Sequence, residues 1–137
     1  TIGNVMLTTS IQPRFNDTDA LGHISNTSFP VWFEEARAAL FKIFHPSLDI
    51  KTWPLILAKT EIDFLAQTYW GDEVKITTYI SKLGNSSCYV THEAWQKEKM
   101  VAKGLAVLIY FDYEVNQSVS IPQDIRERLA EHLDENK

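Results

Sequence analysis

The sequence predicts an α+β domain in which one antiparallel sheet packs on one central helix. Two observations carry this. The apolar pattern alternates near the start, turns helical from about Asn26 to Phe44, and returns to strand-like stretches from Leu55 onward. The joints between those later stretches, Tyr69-Trp70-Gly71-Asp72, Gly84-Asn85-Ser86 and Lys97-Glu98-Lys99, read as turns, so the strands they join follow one another antiparallel.

The first strand runs from Val5 to Arg14, where Met6, Thr8, Ser10 and Gln12 alternate with Val5, Leu7, Thr9 and Ile11. A loop dense in turn formers follows, from Phe15 to Ser25. In the helix, Phe29, Trp32, Phe33, Ala36, Leu40 and Ile43 fall on one face, and Ala39, Phe41 and Phe44 widen it beyond an ordinary surface stripe. Pro30 fits the first turn, and His45-Pro46 ends the helix. Four strands are expected at Leu55 to Thr68, Glu73 to Leu83, Ser87 to Gln96 and Met100 to Tyr113, the last three as a meander with Met100 to Phe111 central. They complete a five-stranded sheet. Ser120-Ile121-Pro122-Gln123 opens a short C-terminal helix whose stripe is Ile121, Ile125, Leu129 and Leu133.

Composition narrows the function. The chain has 137 residues, 45% hydrophobic and 23% charged, enough for a single domain spanning 1–137 and too few for two. Thirteen Lys and Arg against eighteen Asp and Glu give a net charge of −5, which argues against a nucleic-acid partner. No apolar run reaches the roughly 20 residues of a membrane span, and the start shows no signal-peptide pattern. Cys88 is the single cysteine, so no intrachain disulfide forms and a cytoplasmic location is expected. Cys88 itself reads as a small buried apolar residue.

The stretch from Asp17 to Arg37 is the chemically informative one. Asp17 and Asp19 lie in a loop that runs into the N-terminus of the helix, where unpaired N–H groups and the positive end of the macrodipole face outward. Such N–H groups can polarise a carbonyl, and a nearby carboxylate can attack it or deprotonate a water that does. From spacing alone the plainer reading is that both aspartates are turn formers or caps. His23 is a candidate acid or base, although a ring that holds the loop is the plainer role. Glu34 stands three residues before Arg37, the spacing of an ion pair, and Glu35 points away from the apolar face. No metal or cofactor is expected: Asp17, Asp19 and His23 lack a recognised ligand spacing, and His92-Glu93-Ala94-Trp95-Gln96 has no second His. The chain has no G-x-S-x-G elbow.

Asp17-Thr18-Asp19-Ala20-Leu21-Gly22-His23-Ile24-Ser25-Asn26, followed by Phe29 and Glu34-Glu35-Ala36-Arg37, resembles the signature of 4-hydroxybenzoyl-CoA thioesterase-like hot-dog proteins, D-x-D-x-x-G-H-V-N-N-x-x-Y and then E-x-A-R. Tyr69-Trp70-Gly71-Asp72 and Leu83-Gly84-Asn85-Ser86-Ser87 resemble that family's G-D turn and G-x-S-S hairpin, so the likeness spans nearly the whole chain. It implies a hot-dog acyl-CoA thioesterase. By the same resemblance Asp19 is the catalytic base or nucleophile, and the Asn26 backbone N–H holds the carbonyl oxygen. Phe29 replaces the family's Tyr and Ser25 its Asn, which changes the hydroxyls and amides around the loop.

Trp32, Phe33, Phe64, Trp70, Ser86 and Ser87 are the candidate substrate-binding residues, although the four aromatics fit a core equally well. Lys59, Lys82, Lys103 and Arg37 are candidates for the coenzyme A phosphates. The rival readings are a carrier-protein thioesterase of the same fold and a non-catalytic acyl-thioester binder; Asp19 argues against the binder. A dehydratase lacks its D-x-N-x-x-H motif here. The wide apolar face of the helix, and the open sheet edge, predict a homodimer or homotetramer with residues from both chains at each site.

Overall fold

The structure, a computed structural model, describes residues 6–134. Strand β1 (Leu7–Ile11) leads through a loop into helices α1 (Ser28–Ala36) and α2 (Ala38–Phe44). Strands β2 (Leu55–Phe64), β3 (Val74–Leu83), β4 (Ser87–Gln96), β5 (Lys99–Asp112) and the short β6 (Gln117–Ser118) follow, and α3 (Gln123–Ala130) closes the chain. The strands form one antiparallel sheet in the order β1-β3-β4-β5-β2, with β6 added to the end of β5. This is the hot-dog arrangement, and β3, β4 and β5 form the expected meander. Lys97 and Glu98 close the β4–β5 hairpin at φ 51° and 66°, the left-handed pair of a two-residue turn matched to strand twist.

Three boundaries differ from expectation. The first strand is shorter than Val5 to Arg14, and Val5 lies outside the described residues. Strand β2 ends at Phe64 because the Leu65 and Ala66 N–H groups both donate to the Val101 carbonyl, at 2.9 and 3.2 Å, which ends the ladder. The expected single helix from Asn26 to Phe44 starts at Ser28 and is broken at Arg37. There the Arg37 N–H is shared between the Phe33 and Glu34 carbonyls, both at 3.1 Å, and the turn tightens (φ −82°, ψ −7°).

Both helices pack on one face of the sheet. Phe29, Trp32, Phe33 and Ala36 of α1 bury against Val74, Ile76, Ala94 and Ala102. Leu40 and Phe44 of α2 share a second cluster with Ile80, Val90 and Leu108. Of the expected helical stripe, Ile125 and Leu129 lie on α3 while Ile121 precedes it and Leu133 follows it; all four are buried in that second cluster, so this segment seals one end of the sheet. Each such side chain fully removed from water contributes about 1.5–3 kcal/mol. Within one chain the cover of the helices is incomplete: Val31 on α1 is 62% exposed, and β2 is an edge whose Leu57 is 46% exposed. Among the described residues no helix is long and apolar enough to cross a membrane.

The seat of α1 depends on a glycine in mid-strand. Gly104 of β5 sits opposite His92 of β4, and the Phe33 ring lies on both. Phe33 stacks on His92 with centroids 4.9 Å apart and planes 10° from parallel. A Cβ at Gly104 would come within 2.6 Å of the Phe33 ring, so only glycine lets the helix approach this closely. Gly104→Ala is expected to destabilise the fold by about 1–3 kcal/mol through overpacking. Urea unfolding checks this, and an unchanged midpoint would contradict the packing described.

Candidate active site

The loop between β1 and α1 is fastened by Asp17. Its buried carboxylate accepts the Arg14 backbone N–H at 2.7 Å, the Arg14 guanidinium at 3.4 Å and the Ser28 hydroxyl at 3.0 Å. Its carbonyl accepts the Ser25 N–H at 2.7 Å. Burial pushes the Asp17 carboxyl up, but the Arg14 and Ser28 hydrogen bonds and the Arg14 charge outweigh it and hold it below its ordinary value. Asp17 thus ties the end of β1 to the first residue of α1.

Asp19 is placed differently, on the exposed side of the same loop. Its Oδ1 accepts the Leu21 N–H at 2.8 Å and the His23 N–H at 3.1 Å, while its own N–H donates to the His23 carbonyl at 2.7 Å. Gly22, at φ 81°, makes this tight turn possible. Oδ2 accepts no hydrogen bond from the described residues. His23 is held through its backbone, which bridges to Tyr69, and its ring meets the Tyr69 ring edge-on at 5.2 Å. The loop is pinned further where the Ile24 N–H donates to the Thr68 carbonyl at 2.8 Å.

The N-terminus of α1 follows directly. Thr27 precedes the first turn, its side chain makes no capping bond, and no acidic residue occupies that turn. Ser25 Oγ lies 2.8 Å from Thr27 Oγ1 and accepts the Thr27 N–H at 3.3 Å, so both hydroxyls are engaged outside the helix. Asn26 is exposed, and its backbone N–H has no acceptor among the described residues. An uncapped helix end next to an exposed carboxylate is an arrangement that can bind and attack a polarised carbonyl.

The other candidates divide. Trp32 and Phe33 are core residues, and Phe29 joins them to Phe64, whose half-exposed ring meets Phe29 edge-on at 5.6 Å. Trp70 is half-exposed and packs edge-on against Phe15 at 5.8 Å. Ser86 and Ser87 are not brought to Asp19. They lie at the far end of β4, ten residues of strand and roughly 30 Å from the Gln96 end that borders the loop. Of the cations proposed for phosphates, Lys59 pairs with Glu61 at 2.9 Å and Lys82 lies 5.3 Å over the Tyr89 ring.

Arg37 is a correction. The expected ion pair with Glu34 is absent among the described residues, and Arg37 is only 4% exposed, too deep for a phosphate in solvent. Its Nη1 lies 3.2 Å from Nε2 of His92, and His92 Nδ1 lies 2.8 Å from Thr78 Oγ1. Burial, with the Arg37 charge beside it, lowers the His92 pKa to about 3, so the ring is neutral at pH 7. A local i+3 spacing could not reveal a partner that lies far along the chain. Nor does patterning point to Gln96: its side-chain amide accepts the Tyr69 N–H and donates to the Tyr69 and Asp72 carbonyls, fixing the turn beside His23. Cys88 is buried and its thiol is pushed up to about 12, which leaves it unreactive. Among the described residues no three His, Cys, Asp or Glu side chains gather to hold a metal ion.

Residues 13–129 match the family model of the thioesterase-like superfamily. The chain is similar in structure to a predicted thioesterase from Bacillus stearothermophilus, with TM-score 0.93 and 39% identity over 97% of this chain and 100% of that one. A thioesterase from Thermus thermophilus, solved with coenzyme A and zinc, gives TM-score 0.79 and 31% identity over 89% of this chain and 95% of that one. The uncharacterized protein YsmA of Bacillus subtilis strain 168 is 27% identical over 120 residues, 87% of this chain and 82% of its own length.

Asp17→Asn is expected to cost about 1–3 kcal/mol at neutral pH, because an amide cannot accept every hydrogen bond that the carboxylate accepts. Asp17 is more acidic in the fold than in the unfolded chain. Its contribution is therefore complete above the unfolded-state pKa and is lost as pH falls through the folded one. Urea unfolding at pH 7 and at progressively lower pH should show the gap between wild type and variant closing with acid. A gap that persists at low pH would contradict the assignment.

Proposed function

The chain belongs to the thioesterase-like superfamily, and on that premise we propose that it hydrolyses acyl-CoA thioesters to a carboxylic acid and free coenzyme A. The observation that carries this reading is the exposed Asp19 carboxylate, pinned by its Oδ1 in the loop that ends at the uncapped α1 N-terminus. The thioester carbonyl oxygen accepts the Asn26 N–H, which becomes a stronger contact as negative charge grows on that oxygen. Asp19 either removes a proton from the attacking water or attacks the carbonyl carbon itself. With Asp19 as base, the water oxygen bonds to the carbonyl carbon, the carbon–sulfur bond breaks, and the thiolate takes up the proton that Asp19 received. With Asp19 as nucleophile, the carbon–sulfur bond breaks to leave an acyl-aspartyl anhydride. Water then opens it to the free acid and the Asp19 carboxylate, its proton going to the thiolate. His23 shapes the Asp19 turn through its backbone.

Three observations support a homodimer as the working unit. Strand β2 is a sheet edge, Val31 and Leu57 are apolar and exposed beside it, and Ser86 and Ser87 lie at the far end of the sheet from Asp19. A two-fold pairing of antiparallel β2 strands brings the far end of one chain toward the Asp19 end of the other. Such a pairing gives Ser86 and Ser87 a route to the substrate from the second chain. It also covers the exposed edge, an aggregation hazard when left open.

Asp19→Asn tests the assignment cleanly, since an Asn Oδ1 still accepts the Leu21 and His23 N–H groups while the charge is gone. With thiol release followed across aliphatic and aryl acyl-CoA substrates, kcat is expected to fall by roughly 10²–10⁴-fold with folding intact. Near-normal hydrolysis by Asp19→Asn, with loss in Glu34→Gln, would overturn it.

A further inference from the structure

We infer that the cavity at the end of the sheet opposite Asp19 binds a small zwitterion of the betaine class, an alkylated ammonium joined to a carboxylate. The inference goes beyond the hydrolase reading and does not depend on it. The cavity holds about 590 Å³, within the ordinary range for a ligand site. Residues 50–54 form one wall, and the end of β5 with the turn after it forms the other. The Phe111 N–H donates to the Pro54 carbonyl at 2.7 Å, which ties the two walls together. The Tyr110 N–H donates to the Ser86 carbonyl at 2.8 Å, which places the cavity at the end of the sheet away from Asp19. It shares only Trp53 with the groove of Val31 and Leu57, so it is separate from the face that the proposed dimer covers.

Four rings line the cavity: Trp53, Tyr110, Phe111 and Tyr113. All are held in place by their neighbours. Trp53 meets Phe41 edge-on at 5.5 Å and His45 at 5.9 Å, and Tyr110 stacks on Phe44 at 6.2 Å. Phe111 and Tyr113 lie 4.9 Å apart with planes 65° from parallel, as two adjoining walls. The Tyr113 hydroxyl donates to the Leu55 carbonyl at 3.2 Å and anchors the second of those walls to β2. Fixed rings gathered around one space attract a cation through the negative potential of their faces.

The charged residues set the class. Asp112 and Glu114 line the β5 wall, and Lys51 lines the facing one. Lys51 is not within ion-pair distance of either carboxylate, and none of the three joins an ion pair among the described residues. Asp112 Oδ1 accepts the Glu114 N–H at 2.9 Å, which fixes that carboxylate in the turn. A bare anion would face two carboxylates, and a bare cation would face Lys51. A zwitterion answers both, with its cation toward Asp112 and Glu114 and its carboxylate toward Lys51. A primary ammonium brings three N–H donors that ring faces satisfy poorly. An alkylated ammonium has no such demand and presents its methyl groups to the rings.

Calorimetry on the wild-type protein tests this with two probes, trimethylglycine and its longer homologue trimethylammoniobutyrate. The tighter of the two is expected to bind at least about tenfold more strongly than each of three controls. Choline lacks the carboxylate, dimethylbutyrate with a tert-butyl end keeps the shape of trimethylglycine without the positive charge, and glycine lacks the methyl groups. Asp112→Asn combined with Glu114→Gln should bring the betaine down to the level of dimethylbutyrate, and Lys51→Gln should bring it down to choline. Tyr113→Leu keeps apolar bulk but loses the ring, so it should weaken the betaine and leave dimethylbutyrate unchanged. Urea unfolding checks that each variant is folded. No binding of either betaine to wild type, equal binding of dimethylbutyrate or glycine, or affinities unchanged in the variants would overturn the proposal. So would betaine binding that is lost in Asp19→Asn and kept in the Asp112 and Glu114 variant, since the ligand would then sit at the other end of the sheet. Absence of thiol release from every acyl-CoA would defeat the hydrolase reading alone and leave this result standing.

Discussion

Everything at the candidate site hangs on one buried carboxylate. Asp17 receives the Arg14 N–H from the strand side and the Ser28 hydroxyl from the helix side, and its carbonyl takes the Ser25 N–H. With those bonds made, the chain from residue 14 to residue 28 has little freedom left: Ile24 turns into the core, while Asp19 and Asn26 stay on the outer side. Asp19 is turned to solvent, and the Asn26 N–H stands at a helix end that no side chain caps. The two aspartates therefore divide the work. One is buried, hydrogen-bonded and structural; the other is exposed and available for chemistry.

The helix carrying that end is held at its middle by a second constraint. Phe33 lies on Gly104 and stacks on His92, and His92 in turn accepts from Arg37, where the helix breaks. The contact fixes how deeply α1 sits on the sheet and where its N-terminus falls. It also leaves the Arg37 guanidinium buried, with His92 as its hydrogen-bond partner and the Glu34 charge acting on it from the exposed side of the helix. Structural and chemical demands thus meet on one nine-residue helix.

Much of this was legible in the residues. Alternation and turn formers located the meander closely, and Ser87 to Gln96 matches β4 at both ends. All four positions of the C-terminal i, i+4 stripe are buried, although only Ile125 and Leu129 are on the helix itself. The helix break was not legible, since the face from Phe29 to Leu40 keeps its period across a tightened turn. Nor could local spacing choose between Glu34 and His92 as the partner of Arg37, because burial and not proximity in sequence decides where a guanidinium goes. Asp17 and Asp19 look alike as letters. Which one is buried follows from the Ser28 contact, a tertiary fact. Gly104 did offer a signal, since a glycine inside a strand often marks close backbone approach. Ser86 and Ser87 formed a recognisable hairpin, but only topology tells at which end of the sheet it lies.

The most direct measurement is a crystal structure with a non-hydrolysable acyl-CoA ketone analogue. The account predicts its carbonyl oxygen within about 2.7–3.1 Å of the Asn26 nitrogen, with the Asp19 carboxylate facing the carbonyl carbon. A carbonyl bound away from the α1 N-terminus, or one approached by Glu34 or Asp17 in place of Asp19, would contradict it.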